Sequence, residues 1–207
     1  MALMQQSKLN IVPGLKKMEP SKPIYHKYDL EMLWEKVLSG DKEALGNLFN
    51  QCFDSLYGYG YRITPDSENV RDAIQEIFFQ VWKYRKNLTT PDSVQAYLFI
   101  SLRRELLNKK KASRRREDVD KKYYIEEFDA LISYNNWDEI LNLEKEDRKK
   151  LKKSIENLTP RQREVVYLKF YEGFSTEELS QILGLHAQSI YNLVFSAVNQ
   201  LRTFLDN

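Results

Sequence analysis

A chain of 207 residues has room for one large or two small domains. It is 42% apolar, as a folded protein requires, and its seven Gly and six Pro are too few for a turn-rich β-structure. A single cysteine, Cys52, excludes an internal disulfide framework and fits a reducing cytoplasm. No apolar run approaches the roughly 20 residues that span a bilayer, so membrane insertion is not expected.

Residues 1–27 read as a polar, Pro-containing tail that is expected to be disordered. Leu30, Leu33, Trp34, Val37 and Leu38 then recur at helical spacing, and Gly40 stops that helix. Asp41 can cap the next one. The apolar stripe of that helix is Leu45, Leu48, Phe49, Cys52, Phe53 and Leu56, which makes Cys52 a small core residue. Gly58 and Gly60 are expected to weaken its end by about 1 kcal/mol each relative to Ala.

Thr64-Pro65 is expected to open a third helix, with the hydroxyl as cap and Pro at the first position. Ile74, Ile77, Phe78, Val81 and Trp82 would be buried, while Asp72, Gln75, Glu76, Phe79 and Lys83 share the opposite face. Lys86 to Ser93 is a loop by composition. A fourth helix runs from about Val94 into the run NKKKASRRR.

The net charge of +2 hides an uneven distribution. From Arg103 to Arg116 eight basic residues meet one acidic residue. From Glu117 to Asp147 eleven acidic residues meet three basic ones. A basic helical surface is thus followed by an acidic connector. The basic run is either a solvated face or a polyanion site.

A helical pattern resumes at Trp137 and continues to Leu158. Two capping boxes follow, Thr159 with Gln162 and Ser175 with Glu178, and each starts a helix. Gly184 marks a tight turn before a last helix. A short helix, a Gly turn and a longer helix form helix-turn-helix grammar. The fold expected is all-α: two small helical domains, 28–116 and 137–207, joined by an acidic linker over 117–136.

No catalytic or metal-binding constellation emerges. His26 and His186 are isolated, no Gly-rich phosphate loop is present, and Asp72 and Glu76 lack partners elsewhere. Neither an enzyme nor a cofactor is expected.

In this order and spacing the motifs resemble a bacterial sigma factor of the compact extracytoplasmic-function group. DAIQEIFFQVW (72–82) is similar to the family's polymerase-binding helix. SVQAYLFISLRRELLNKKK (93–111) is similar to the helix that engages the melting promoter element. LTPRQREVVYLKFYEGFSTEELSQILGL (158–185) is similar to the region that binds the upstream element.

The resemblance implies core RNA polymerase and promoter DNA as partners, with an anti-sigma factor a further one. It implies that Asp72, Gln75 and Glu76 contact polymerase. It places Lys86, Asn87, Tyr97, Ser101, Arg104, Asn108, Lys109 and Lys110 at melted promoter DNA, where stacking and backbone contacts suit unpaired bases. It places Arg161, Arg163, Gln188, Ser189, Tyr191, Asn192 and Phe195 at the upstream element. The acidic linker would either mimic an RNA backbone in the polymerase channel or serve as a plain tether.

The last helix departs from the family pattern. His186 to Gln200 contains no Lys, Arg, Asp or Glu. Ile190, Leu193, Val194, Ala197, Leu201 and Phe204 should face inward. Gln188, Ser189, Tyr191, Asn192, Phe195, Ser196 and Asn199 should face out. Amides can pair with adenine and apolar groups can touch thymine methyls, so an A/T-rich target suits this face. Phosphate attraction would then fall to Arg161, Arg163, Lys169 and Arg202. The alternative is a protein-contacting face. Two other readings of the whole chain stand beside the sigma factor: a helix-turn-helix transcriptional regulator, and a degenerate sigma-like protein that binds polymerase without reading DNA.

Overall fold

The computed structural model describes residues 27–114 and 153–205, with side chains for 29–109 and 153–202. The expected tail, the acidic linker, the helix start at Trp137 and the side chain of Phe204 lie outside these. Every regular element among the described residues is helical. The chain divides into two compact units, one grouping the four N-terminal helices with Ser180–Gly184 and the other holding the rest of the C-terminal region.

In the N-terminal unit, α1 (Lys27–Ser39) ends at Gly40, whose φ of +99° is a backbone conformation that side chains resist. Asp41 then caps α2 (Lys42–Ile63), its carboxylate accepting from the backbone N–H groups of Glu43 and Ala44. Cys52 is buried among the core residues of α2 with Leu48 and Leu56. α3 (Ser67–Tyr84) and α4 (Val94–Arg114) complete the unit, with a 3₁₀ turn at Arg85–Asn87 between them. Trp34, Leu48, Leu56, Ile74, Leu98, Phe99, Leu102 and Leu106 are fully enclosed and form its core.

One expectation fails here, and one glycine has a packing role the sequence did not show. α2 runs past Gly58 and Gly60 to Ile63, because Gly60 is buried where three helices meet. A Cβ there would sit 2.8 Å from Val70 Cγ1 and 3.3 Å from Leu102 Cδ2 and Leu106 Cδ1, so the missing side chain permits close helix packing. The cap of α3 is Asp66 rather than Thr64, its side chain accepting from Asn69 N–H. Thr64 instead ends α2, its N–H donating to Gly60 O. Asp ranks above Thr as a helix N-cap.

In the C-terminal region both capping boxes form. Thr159 Oγ1 accepts from Gln162 N–H while Gln162 Oε1 accepts from Thr159 N–H at 2.8 Å, starting α5 (Pro160–Val166). Ser175 and Glu178 do the same for α6 (Thr176–Leu183). Between them α5 widens into a π-helical turn at Tyr167–Tyr171. Gly184, at φ +63°, makes the turn into α7 (Ala187–Leu205). No helix among the described residues is long and apolar enough to cross a membrane.

Candidate polymerase and nucleic-acid interfaces

The first candidate surface is one face of α3. Val70, Ala73, Ile74, Ile77, Phe78 and Val81 are buried, which turns Asp72, Gln75 and Glu76 outward, where all three are exposed. Gln80 donates from its amide to Glu76. Phe79 lies on the same face, one further turn along, and is 56% exposed. Lys83 Nζ sits 5.8 Å from its ring centroid. Asp72, Gln75 and Glu76 thus share a patch with an exposed aromatic ring. Trp82, expected in the core, is only half-buried, with the Arg85 guanidinium 4.0 Å over its ring.

The second surface joins the 3₁₀ turn to α4. Lys86 and Asn87 are exposed on the turn. Along α4, Tyr97, Ser101, Arg104 and Asn108 follow one another at helical spacing on a single stripe away from the core. Tyr97 and Ser101 are half-buried, and Arg104 and Asn108 are exposed. Lys109 reaches Glu105 at 3.8 Å. The side chain of Lys110 lies outside the described residues.

The loop before α4 is held from below by a residue whose role the sequence pattern hid. Trp34 Nε1 donates to Thr89 O at 3.3 Å, and its ring meets Tyr97 edge-on with centroids 5.1 Å apart. A core tryptophan from α1 therefore fixes both the loop and the first base-stacking candidate of α4. Trp34→Phe should remove the hydrogen bond to Thr89 O and leave a cavity where the larger indole packed. The expected cost is about 1–3 kcal/mol, with faster proteolytic cleavage within residues 86–93. Denaturant unfolding and limited proteolysis check it.

The third surface is α7. Ile190 and Ala197 are fully enclosed and Leu201 is buried, while Leu193 and Val194 are half-buried. Gln188, Tyr191, Asn192, Phe195, Ser196 and Asn199 are exposed, and Ser189 is half-buried at the flank. Tyr191 and Phe195 lie nearly parallel, 6.3 Å apart with 9° between their planes. Gln188 Nε2 donates to Asn192 Oδ1 at 3.1 Å. Two further amide bonds seat the helix. Gln162 Nε2 donates to Ser196 Oγ at 3.0 Å, and Gln200 Nε2 donates to Asn157 O at 3.0 Å. The capping residue of α5 thus also braces the exposed face of α7.

Residues 48–116 match the model for sigma-70 region 2, and residues 148–201 match that for sigma-70 region 4. Together the two cover more than half of the chain, in the family's order. Curated relatives are ECF RNA polymerase sigma factors SigK. That of Mycobacterium ulcerans (strain Agy99) is 23% identical over 179 residues, which are 86% of this chain and 94% of the relative. That of Mycobacterium tuberculosis (strain ATCC 25618 / H37Rv) is 22% identical over the same shares.

The chain belongs to the extracytoplasmic-function sigma factors.

Solved structures share the fold. CnrH, determined with the cytosolic domain of CnrY, superposes with a TM-score of 0.55 at 18% identity, covering 86% of this chain and 97% of that one. RpoE of Bartonella quintana, determined with the anti-sigma factor NepR, gives 0.52 at 20% identity, covering 78% and 96%. A sigma factor directs core RNA polymerase to promoters, so polymerase and promoter DNA are the partners of this chain.

Of the cations expected to attract phosphates for this sigma factor, Arg161 and Lys169 have partners within the fold and Arg163 is buried. Arg163 is 7% exposed and is an interior residue, contrary to its expected place at DNA. It lies on the inner side of α5 with Gln162, Val165 and Val166. Arg161 pairs with Glu164 at 3.0 Å. Lys169 Nζ donates to Phe174 O at 3.2 Å. Arg202 is exposed near the end of α7.

Burial holds the Lys169 ammonium below its ordinary pKa of 10.5 by desolvating the charge, against the opposing pull of Glu177 and Glu178. The unfolded chain therefore keeps this proton to higher pH than the folded one. The penalty is full below the folded pKa and is shed as pH rises towards 10.5. Any stability gained by Lys169→Met should be largest near neutral pH and shrink on approach to pH 10.5. Paired denaturation curves check this, and a pH-independent difference would contradict it.

Proposed function

We propose that the sigma factor divides its work among the three surfaces. Asp72, Gln75 and Glu76 on α3 hold polymerase. Lys86, Asn87 and the α4 stripe of Tyr97, Ser101, Arg104 and Asn108, extended by Lys109 and Lys110, hold the melted strand and so assist opening. Residues 28–116 form the unit that carries both tasks. Residues 137–207 form the upstream-reading unit, through Gln188, Ser189, Tyr191, Asn192 and Phe195, with Arg161 at its edge. The chain itself performs no catalysis and works in the cytoplasm, where polymerase is. An anti-sigma factor is a further partner, as for the RpoE of Bartonella quintana.

The observation that carries this reading is the exposed face of α7: amides and aromatic rings, with no Lys, Arg, Asp or Glu from His186 to Gln200. Base edges can be read by such groups, but sequence-independent affinity comes from neutralised phosphates. The upstream-reading unit therefore binds duplex weakly by itself and depends on polymerase to bring it to the promoter. Binding of the full chain to promoter duplex should be weak and shallow in its salt dependence without polymerase, and strong with it. Tight duplex binding by the chain alone would favour a free-standing regulator. The exposed Tyr191–Phe195 pair gives one ground for a second reading, in which α7 docks on protein and the factor binds polymerase without reading DNA.

A further inference from the structure

The hydrogen bond between Gln188 and Asn192 narrows what α7 can read. Both residues are exposed in its first two turns, the part of a recognition helix that meets base edges. Gln188 Nε2 is the donor and Asn192 Oδ1 the acceptor. In this arrangement the oxygen side of the Asn192 amide faces Gln188 and the nitrogen side faces away. Asn192 Nδ2 keeps its N–H donors, and Oδ1 keeps its second lone pair.

A donor beside an acceptor in one plane complements the major-groove edge of adenine, which offers N7 as acceptor and the N6 amino group as donor. It does not complement guanine, whose N7 and O6 are both acceptors, nor cytosine, which offers a donor alone. Thymine offers an acceptor and a methyl group. The parallel rings of Tyr191 and Phe195 lie along the same face and supply an apolar surface for such a methyl.

We infer that Asn192 is the specificity-determining residue of the upstream-reading helix and selects one adenine, and that Gln188 is a positioning residue that sets the orientation of its amide. This rests on α7 reading the upstream element. Gln188 contributes by lowering the freedom of Asn192 before DNA arrives, and its own carboxamide oxygen remains as a second acceptor at the rim. Side-chain ordering that is settled in advance costs nothing on binding.

The test uses the full chain with sigma-free core polymerase on promoter templates whose upstream element is randomised in fixed register, each template linked to a transcribed barcode that is read back from the RNA. Wild type should show one upstream position with about tenfold preference for adenine, the discrimination of one bidentate pair. Asn192→Ala should flatten that position and leave the preferences at its neighbours. Asn192→Asp should move the preference towards cytosine, because a carboxylate only accepts and the cytosine N4 amino group donates. Gln188→Ala should weaken the adenine preference several-fold at the same position. A structural role for either residue would lower output from all templates without changing base choice.

An adenine preference that persists unchanged in Asn192→Ala and Asn192→Asp would overturn the inference while leaving promoter reading intact. Upstream choice that no α7 substitution alters, with polymerase binding preserved, would overturn the reading itself and the inference with it.

Discussion

Gly60→Val is expected to destabilise the unit of residues 27–114 by about 3 kcal/mol, the upper end of what overpacking costs. Even a bare Cβ at this position meets Val70 Cγ1 at 2.8 Å, and the δ-methyls of Leu102 and Leu106 stand at 3.3 Å. Val70, Leu102 and Leu106 are all fully enclosed, so none can swing into solvent to make room. The two γ-methyls of valine would force α2 away from both α3 and α4. Gly60→Ala is the informative partner. Alanine gains up to about 1 kcal/mol of helix propensity over glycine, which offsets part of the steric cost. The alanine variant should therefore fall between wild type and valine. Denaturant midpoints of the three proteins check the order, and an alanine variant more stable than wild type would show that the helices can part without penalty.

Replacing Asp72, Gln75 and Glu76 together by alanine is expected to weaken core polymerase binding on the order of 100-fold, if each polar contact is of ordinary interface strength. All three side chains point away from the core of α3, so the fold should survive with an unchanged denaturation midpoint. Phe79→Ala should weaken binding further, on the order of tenfold, because a solvent-exposed aromatic ring beside polar anchors is the usual composition of an interface centre. Polymerase affinity and thermal unfolding measured on the same preparations separate lost contact from lost structure. Normal polymerase binding by the triple variant would move the docking surface off α3.

The amphipathic faces were the most legible part of the chain. The wheel of α7 placed Ile190, Ala197 and Leu201 inside and Gln188, Tyr191, Asn192 and Phe195 outside, as found, because one helix face must be buried and the period is fixed. The two capping boxes were equally legible, since each depends on residues three apart. What depended on distant residues was not legible. Nothing near Gly60 in sequence announces Leu102 and Leu106, so a packing glycine read as a weak helix end. Trp34 and Thr89 are 55 positions apart, and a tryptophan at helical spacing reads only as core.

Arg163 shows the same limit from the other side. An arginine three residues after a helix-opening proline in a DNA-binding region reads as a phosphate ligand, yet the turn of α5 carries it to the buried side with Val165 and Val166. The candidate surfaces themselves came from resemblance more than from pattern. Periodicity could say that Asp72 and Glu76 were outside, but not what they touched. The Gln188–Asn192 contact lay between: the spacing of four was visible, and the direction of the bond required the structure.

The most direct measurement is transcription from fragmented genomic DNA by sigma-free core polymerase supplemented with this protein, with RNA starts mapped. Defined starts that share upstream sequence are expected, including an A·T-rich element at the distance α7 reads. Starts without shared upstream sequence, or none despite demonstrated polymerase binding, would contradict a promoter-reading α7.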